Sequence, residues 1–223
     1  MARSQARNSV SATLRPRRRL LTPKRYSLST PGERVQIDSC KIGTGLYQFT
    51  AIDDCTRLRV LGLYSNHQAA SAIDFVSKRV CKELPFPIQR IQTDRGSEFM
   101  AEAFQQLLLE QKIKFRPTPP RSPHLNGKVE RSQQTDRIEF WGGADLSLAR
   151  EQLAEQLQEW QTFYNQERGH SGLGRQTPHQ KLEETRHTIP SVVLIHQGFD
   201  PSRELRRTNS RSTWIRVESR ASP

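Results

Sequence analysis

The order of periodic segments constrains this chain more than anything else in it. Residues 34–41, 47–53 and 57–64 read as strands separated only by turns, one at Gly43 and Gly45, the other at Asp53-Asp54-Cys55-Thr56. Strands spaced so closely suggest an antiparallel meander. Ala69, Ile73, Val76, Val80 and Leu84 then recur at spacings of four, three, four and four, which makes one apolar helix face ended by Pro85 and Pro87. Residues 88–93 return to a strand. Ser97 is placed to cap a helix bearing Met100, Phe104, Leu107 and Leu108, and a short strand at 113–116 precedes the loop from Pro117 to Pro120. A helix over about 124–139 stops at Gly142-Gly143. A last long helix, about 147–167, carries Leu153, Leu157, Trp160 and Tyr164 at heptad-like spacing. The expectation is an α/β chain, a mixed five-stranded sheet flanked by helices.

Three carboxylates stand out against this order. Asp38 ends the alternation Val35-Gln36-Ile37-Asp38, and Asp94 ends Ile88-Gln89-Arg90-Ile91-Gln92-Thr93-Asp94. Glu130 follows after thirty-five intervening residues, inside the helix at 124–139. A lone Asp at a strand end is usually a turn residue, and a lone Glu on a helix is usually solvated. Three together can converge on a pair of hard divalent cations, the machinery for breaking and rejoining phosphodiester bonds. Asp53 and Asp54 are adjacent, so on a strand they point to opposite faces; they are read as turn residues. Gly96, just after Asp94, is read as serving a turn.

These residues lie in stretches that resemble the catalytic core of the DDE transposases and retroviral-type integrases, nearest the bacterial insertion-sequence branch. The stretches are Gln92-Thr93-Asp94-Arg95-Gly96-Ser97-Glu98-Phe99, Ser122 to Ser132, Tyr164-Asn165-Gln166-Glu167-Arg168, and His170 to Pro178, over roughly residues 32–184. The resemblance implies an RNase H-like fold with Asp38, Asp94 and Glu130 as catalytic and metal-binding residues. It implies two Mg²⁺ ions, with Mn²⁺ able to substitute, Asp38 bridging both. It also implies DNA as partner, in the form of transposon ends and target, and a homo-oligomer assembled on that DNA. Asn126, Lys128 and Arg131 resemble positions that touch DNA, at a helix start whose free N–H groups suit phosphate. Two departures favour an alternative, a truncated DNA-binding remnant without end recognition. Only 31 residues precede the core, and Arg168-Gly169-His170 stands where the pattern has Arg-Pro-His.

Charge separates three segments. Residues 1–31 hold eight Lys or Arg and no acid, residues 185–223 hold seven Arg against three acids, and the stretch between holds twenty of each sign. The +12 net charge therefore sits in two arms around a neutral core. With only 34% hydrophobic residues, both arms are expected to be disordered and basic, residues 1–31 throughout and 185–223 for the most part. No run of about 18 apolar residues marks a membrane span. Cys40, Cys55 and Cys81 are odd in number and widely spaced, which fits core positions in a reducing cytoplasm rather than a disulfide framework. None of the six histidines pairs with cysteines at zinc-finger spacing. Deleting residues 1–31 is expected to weaken DNA binding and to flatten log K against log salt by roughly 0.9 for each phosphate the arm no longer neutralises. A titration of duplex binding across salt concentrations reads that slope directly.

Overall fold

The computed structural model describes residues 27–119 and 123–204. Both the arm at 1–26 and the segment 205–223 lie outside the described residues, and with them most of the expected disorder. Strands β1 (Val35–Gly43), β2 (Leu46–Asp53) and β3 (Arg59–Tyr64) form the expected antiparallel meander. Strands β4 (Arg90–Thr93) and β5 (Lys114–Pro117) join it in parallel, in the order β3-β2-β1-β4-β5. Among the described residues no helix is long and apolar enough to cross a membrane.

Period-two alternation divides the sheet into two unlike faces. One face presents Val35 and Ile37 of β1, Phe49 and Ala51 of β2, Val60 of β3, Ile91 of β4 and Phe115 of β5, all buried. Against it pack α1 (Ala69–Asp74), the wider π-helical stretch Phe75–Val80, α2 (Cys81–Glu83), α3 (Ser97–Met100) and α4 (Glu102–Glu110). The single helix expected from Ala69 to Leu84 is thus continuous but loosened in its middle. The one expected after Ser97 is broken at Ala101, whose ψ of 140° is extended. Ser97 itself is the first residue of α3 rather than its cap, and its side chain makes no capping bond.

The other face carries Gln36, Gln48, Thr50 and Arg59, all fully buried, under α5 (Gly127–Asp136) and α6 (Arg150–Gln166). Arg59 Nη1 donates to Asp136 Oδ1 at 2.6 Å and to Ser132 Oγ at 3.0 Å. Asp136 also accepts from Gln48 Nε2 and Trp160 Nε1, each at 2.7 Å. The guanidinium lies 3.3 Å from the ring centroid of Tyr164. The outer edge of β3 is covered by α6 side chains: Asn165 exchanges bonds with the Arg59 N–H and C=O, and Gln161 Oε1 accepts from Leu61 N. Covering the edge in this way removes a template for strand addition.

The chain beyond residue 185 departs from expectation as far as it is described. Thr177 caps α7 (Pro178–Thr185) in a reciprocal box with Gln180. Then α8 (Val192–Gln197) follows, Phe199 is buried, and Glu204 forms a two-pronged pair with Arg116 of β5 at 2.6 and 2.8 Å. The apolar run Val192-Val193-Leu194-Ile195 supplies a helix that overall composition does not reveal. Cys40 and Cys55 are buried as expected, whereas Cys81 is exposed. Arg59→Met is expected to cost about 3–5 kcal/mol, because it strands the Asp136 carboxylate without its cation. Urea unfolding reads this, and adding Asp136→Leu to the same variant is expected to recover much of the loss.

Candidate active site

Strand β1 leaves the polar face with Asp38, and β4 ends one residue before Asp94. The parallel register pairs Gln36 with Gln92 and Ile37 with Thr93, so Asp38 and Asp94 follow side by side. Asp38 is half-buried and its Oδ1 accepts from Ser39 N at 2.9 Å. Asp94 is exposed, and its Oδ1 accepts from Gly96 N at 2.9 Å. Glu130 stands in the first turn of α5, exposed and without a hydrogen bond or ion pair among the described residues.

The three sequence-selected carboxylates share one electrostatic field. Burial first, then the charges of Asp94, Glu130 and Glu98, together push the Asp38 carboxyl up from its ordinary value to about 7, against the Ser39 N–H. Negative charge is therefore gathered around Asp38, which is the environment an all-oxygen divalent site presents before loading. The carboxylates fit a hard cation in kind and in charge. Among the described residues no three His, Cys, Asp or Glu side chains come together closely enough to hold a metal ion.

Glu98 is the functional neighbour that sequence reasoning missed. It is only 6% exposed, and its Oε1 accepts from Ser39 Oγ at 2.7 Å. A signal was available, since Glu98 sits four residues after Asp94 in the same motif. The turn expected at Gly96 does not need a glycine, because its φ of −54° is open to any residue. Its lack of a side chain matters for another reason: a Cβ there would meet Glu98 Oε2 at 2.6 Å.

The candidate DNA contacts fall elsewhere. Asn126 is 3% exposed, so it does not offer its side chain at the surface. Lys128 Nζ bonds the Asp54 backbone oxygen at 3.0 Å and its carboxylate at 3.1 Å. Burial draws the Lys128 ammonium down to about 8 against the pull of Asp54. The helix start is not free for phosphate either, because Gln36 Oε1 accepts from the amides of both Lys128 and Val129. Arg131 is exposed and, with Arg57, Lys128, Glu139, Arg168 and His170, lines an open groove of about 510 Å³. None of the three site carboxylates lines it. Asp54 opens the expected turn, whereas Asp53 is the last residue of β2, and both are fully buried. Asp53 accepts from the N–H groups of Gly32, Cys55 and Thr56, and Asp54 pairs with Arg34.

Comparison with known proteins places this geometry. Two family models, each described as an integrase core domain, match residues 29–123 and 111–178. The protein "Putative integrase ORF3" of Spiroplasma virus SpV1-C74 is 33% identical over 147 residues, covering 59% of this chain and 40% of that protein. The chain thus spans well under half the length of the curated relative it matches. The catalytic core domain of BIV integrase superposes with a TM-score of 0.56 at 19% identity, over 70% of this chain and 97% of that one. The HTLV-2 integrase catalytic core domain in complex with magnesium gives 0.56 at 16% identity, over 70% and 98%. The simian T-cell lymphotropic virus intasome in complex with PP2A regulatory subunit B56 gamma gives 0.59 at 15% identity, over 75% and 58%. At these identities the structures show a shared fold, the RNase H-like fold expected from the motifs.

Asp38→Asn is expected to stabilise the metal-free protein, with a definite pH dependence. The folded carboxyl titrates near 7 and the unfolded one near its ordinary 3.8, so the folded state holds the proton more tightly. Ionised Asp38 therefore costs stability. The cost begins above about pH 4, grows through the interval, and is complete above pH 7. The melting temperature of the variant is expected to exceed that of the parent at pH 8, and the gap to close as pH falls toward 4.

Proposed function

The chain belongs to the integrase-core-domain proteins, the catalytic cores of retroviral-type integrases and transposases, and on that premise we propose that it cuts and rejoins DNA phosphodiester bonds. Asp38, Asp94 and Glu130 are the catalytic residues of this reading and would hold two Mg²⁺ ions, which Mn²⁺ could replace. Asp38 would serve both ions, Asp94 one and Glu130 the other. Bound in this way, the ions would supply an activated oxygen nucleophile and neutralise charge on the leaving oxygen. The chain's own side chains do the rest. The Ser39 N–H holds one Asp38 oxygen in place, and Glu98 holds the Ser39 hydroxyl. Asp94 and Glu130 remain exposed, so a phosphodiester can approach them from solvent.

What supports the reading is that Asp94 and Glu130 lie near enough to the half-buried Asp38 to add to burial in lifting its carboxyl to about 7. Asp54, by contrast, is paired with the cations of Arg34 and Lys128. DNA is the substrate, as element ends and as target, with several copies of the chain assembled on it. Arg131, exposed in a groove that Arg57 and Arg168 also line, supplies positive charge to take the backbone.

Asp38→Asn is expected to abolish Mg²⁺-dependent nicking and strand transfer on duplex DNA, a loss of at least about 10³-fold, while far-ultraviolet circular dichroism stays unchanged. Wild-type rates in that variant would sink the assignment.

A further inference from the structure

The chain repeats one short pattern where it matters most. Gln36-Ile37-Asp38 lies on β1, and Gln92-Thr93-Asp94 closes β4. The parallel register sets Gln36 directly beside Gln92, and period two turns both amides to the face that Asp38 shares. Both are buried, at 0% and 6% exposure. Both reach the same carbonyl: Leu125 O accepts from Gln36 Nε2 at 3.2 Å and from Gln92 Nε2 at 2.7 Å.

Gln36 does more. Its Oε1 accepts from the amides of Lys128 and Val129, each at 3.2 Å, and its Nε2 also donates to Asp54 Oδ1 at 2.9 Å. The first amides of a helix have no partner within it. At the start of α5 the natural cap, Asn126, makes no side-chain bond to them. A residue from the neighbouring sheet takes that place. The last amide it holds, Val129, is the immediate neighbour of Glu130.

We propose that Gln36 and Gln92 form a clamp that sets the position of Glu130 relative to Asp38 and Asp94, and that they are positioning residues for the metal site. The proposal rests on the carboxylate reading given above. A cap taken from the helix's own chain would satisfy the same amides. It would leave the first backbone amides of α5 untied to β1, with the Lys128 side chain on Asp54 and Gln92 on Leu125 O linking its start to the sheet. A cap taken from β1 and β4 registers the helix start to the strands that carry the two aspartates. Each strand thus delivers an acid and, two residues earlier, a tether for the third acid. The two functions are built from one strand segment, so they move together.

The test uses the full chain with Gln36→Met, Gln92→Met and, as reference, Asp38→Asn. Three quantities are measured: Mn²⁺ affinity by electron paramagnetic resonance, amide hydrogen exchange at Lys128 and Val129, and thermal unfolding. Gln36→Met is expected to speed exchange at those two amides by about 10-fold or more. It is expected to weaken Mn²⁺ binding about 10- to 100-fold, the range found when groups that orient metal ligands are removed, while exchange within β1 and β4 stays protected. Gln92→Met loses one tether and is expected to weaken Mn²⁺ binding about threefold or more. Mn²⁺ affinity within twofold of the parent in Gln36→Met, with binding abolished by Asp38→Asn, overturns the clamp and spares the metal site. Unchanged Mn²⁺ binding in Asp38→Asn overturns the metal site and the clamp's role with it. If Gln36→Met does not fold, Gln92→Met decides on the same scale, an affinity within twofold counting against the clamp.

Discussion

A guanidinium sealed from water sits at the junction of β3, α5 and α6, and the second layer of the molecule depends on it. Arg59 has no exposed surface and Asp136 has 1%. Neither charge could stay there alone. Two of the guanidinium nitrogens, Nε and Nη2, have no hydrogen-bond acceptor among the described residues. The rings of Tyr164 and Trp160, with centroids 3.3 and 5.3 Å from the guanidinium carbon, add cation–π attraction to the buried charge. Asp136 is held by Gln48 of β2, Arg59 of β3 and Trp160 of α6 at once. One carboxylate thereby fixes the far end of the helix whose first turn presents Glu130.

The opposite end of α5 is fixed by a different device. Buried amides from β1 and β4 hold its start, and the charged network holds its end. Between them the helix has little freedom to slide or rotate over the sheet. The apolar face of the sheet has no such requirement. There Phe49, Phe75, Phe99, Phe104 and Phe115 pack in a chain of rings, most of them edge-on, and burial of hydrocarbon supplies the stability. Hydrophobic burial is non-directional, whereas hydrogen bonds fix distance and angle. The face that must place a carboxylate is accordingly the polar one.

Electrostatics divides the acids of this chain into two kinds. Asp54 and Asp136 are buried deeply and paired with cations, Asp54 with Arg34 and Lys128 and Asp136 with Arg59, while Asp53 is held by backbone N–H groups although burial still raises its carboxyl. Asp38 is raised first by burial and then by Asp94, Glu130 and Glu98, against the Ser39 N–H, so its carboxyl clings to a proton. The contrast separates acids paired within the fold from the acid to which the proposed function assigns a cation. Lys128, only two positions from Glu130 along the chain, belongs to the first kind through Asp54.

Much of this was legible in the residues themselves. Strand and helix order follows from local periodicity, and the meander follows from turns too short for anything else. Asp38 and Asp94 could be picked out because each ends an apolar alternation, and Glu130 because of the motif around it. The paired basic arms were plain from charge. Other features needed the folded chain. That Asn126 is buried and Lys128 spoken for depends on Asp54 and on strands some seventy to ninety residues away. Arg59, a lone cation in an apolar stretch, gives no sign of its burial until Asp136 and Tyr164 are brought to it across the sheet. The helix at 192–197 was hidden by the polar composition of its surroundings, and only the groove beside β5 and the Arg116–Glu204 pair gave it a place. Sequence determines what each segment prefers, since propensity and periodicity are properties of neighbours. Tertiary structure alone decided which charges are matched and which are left waiting, because matching is a matter of distance between residues the chain itself keeps far apart.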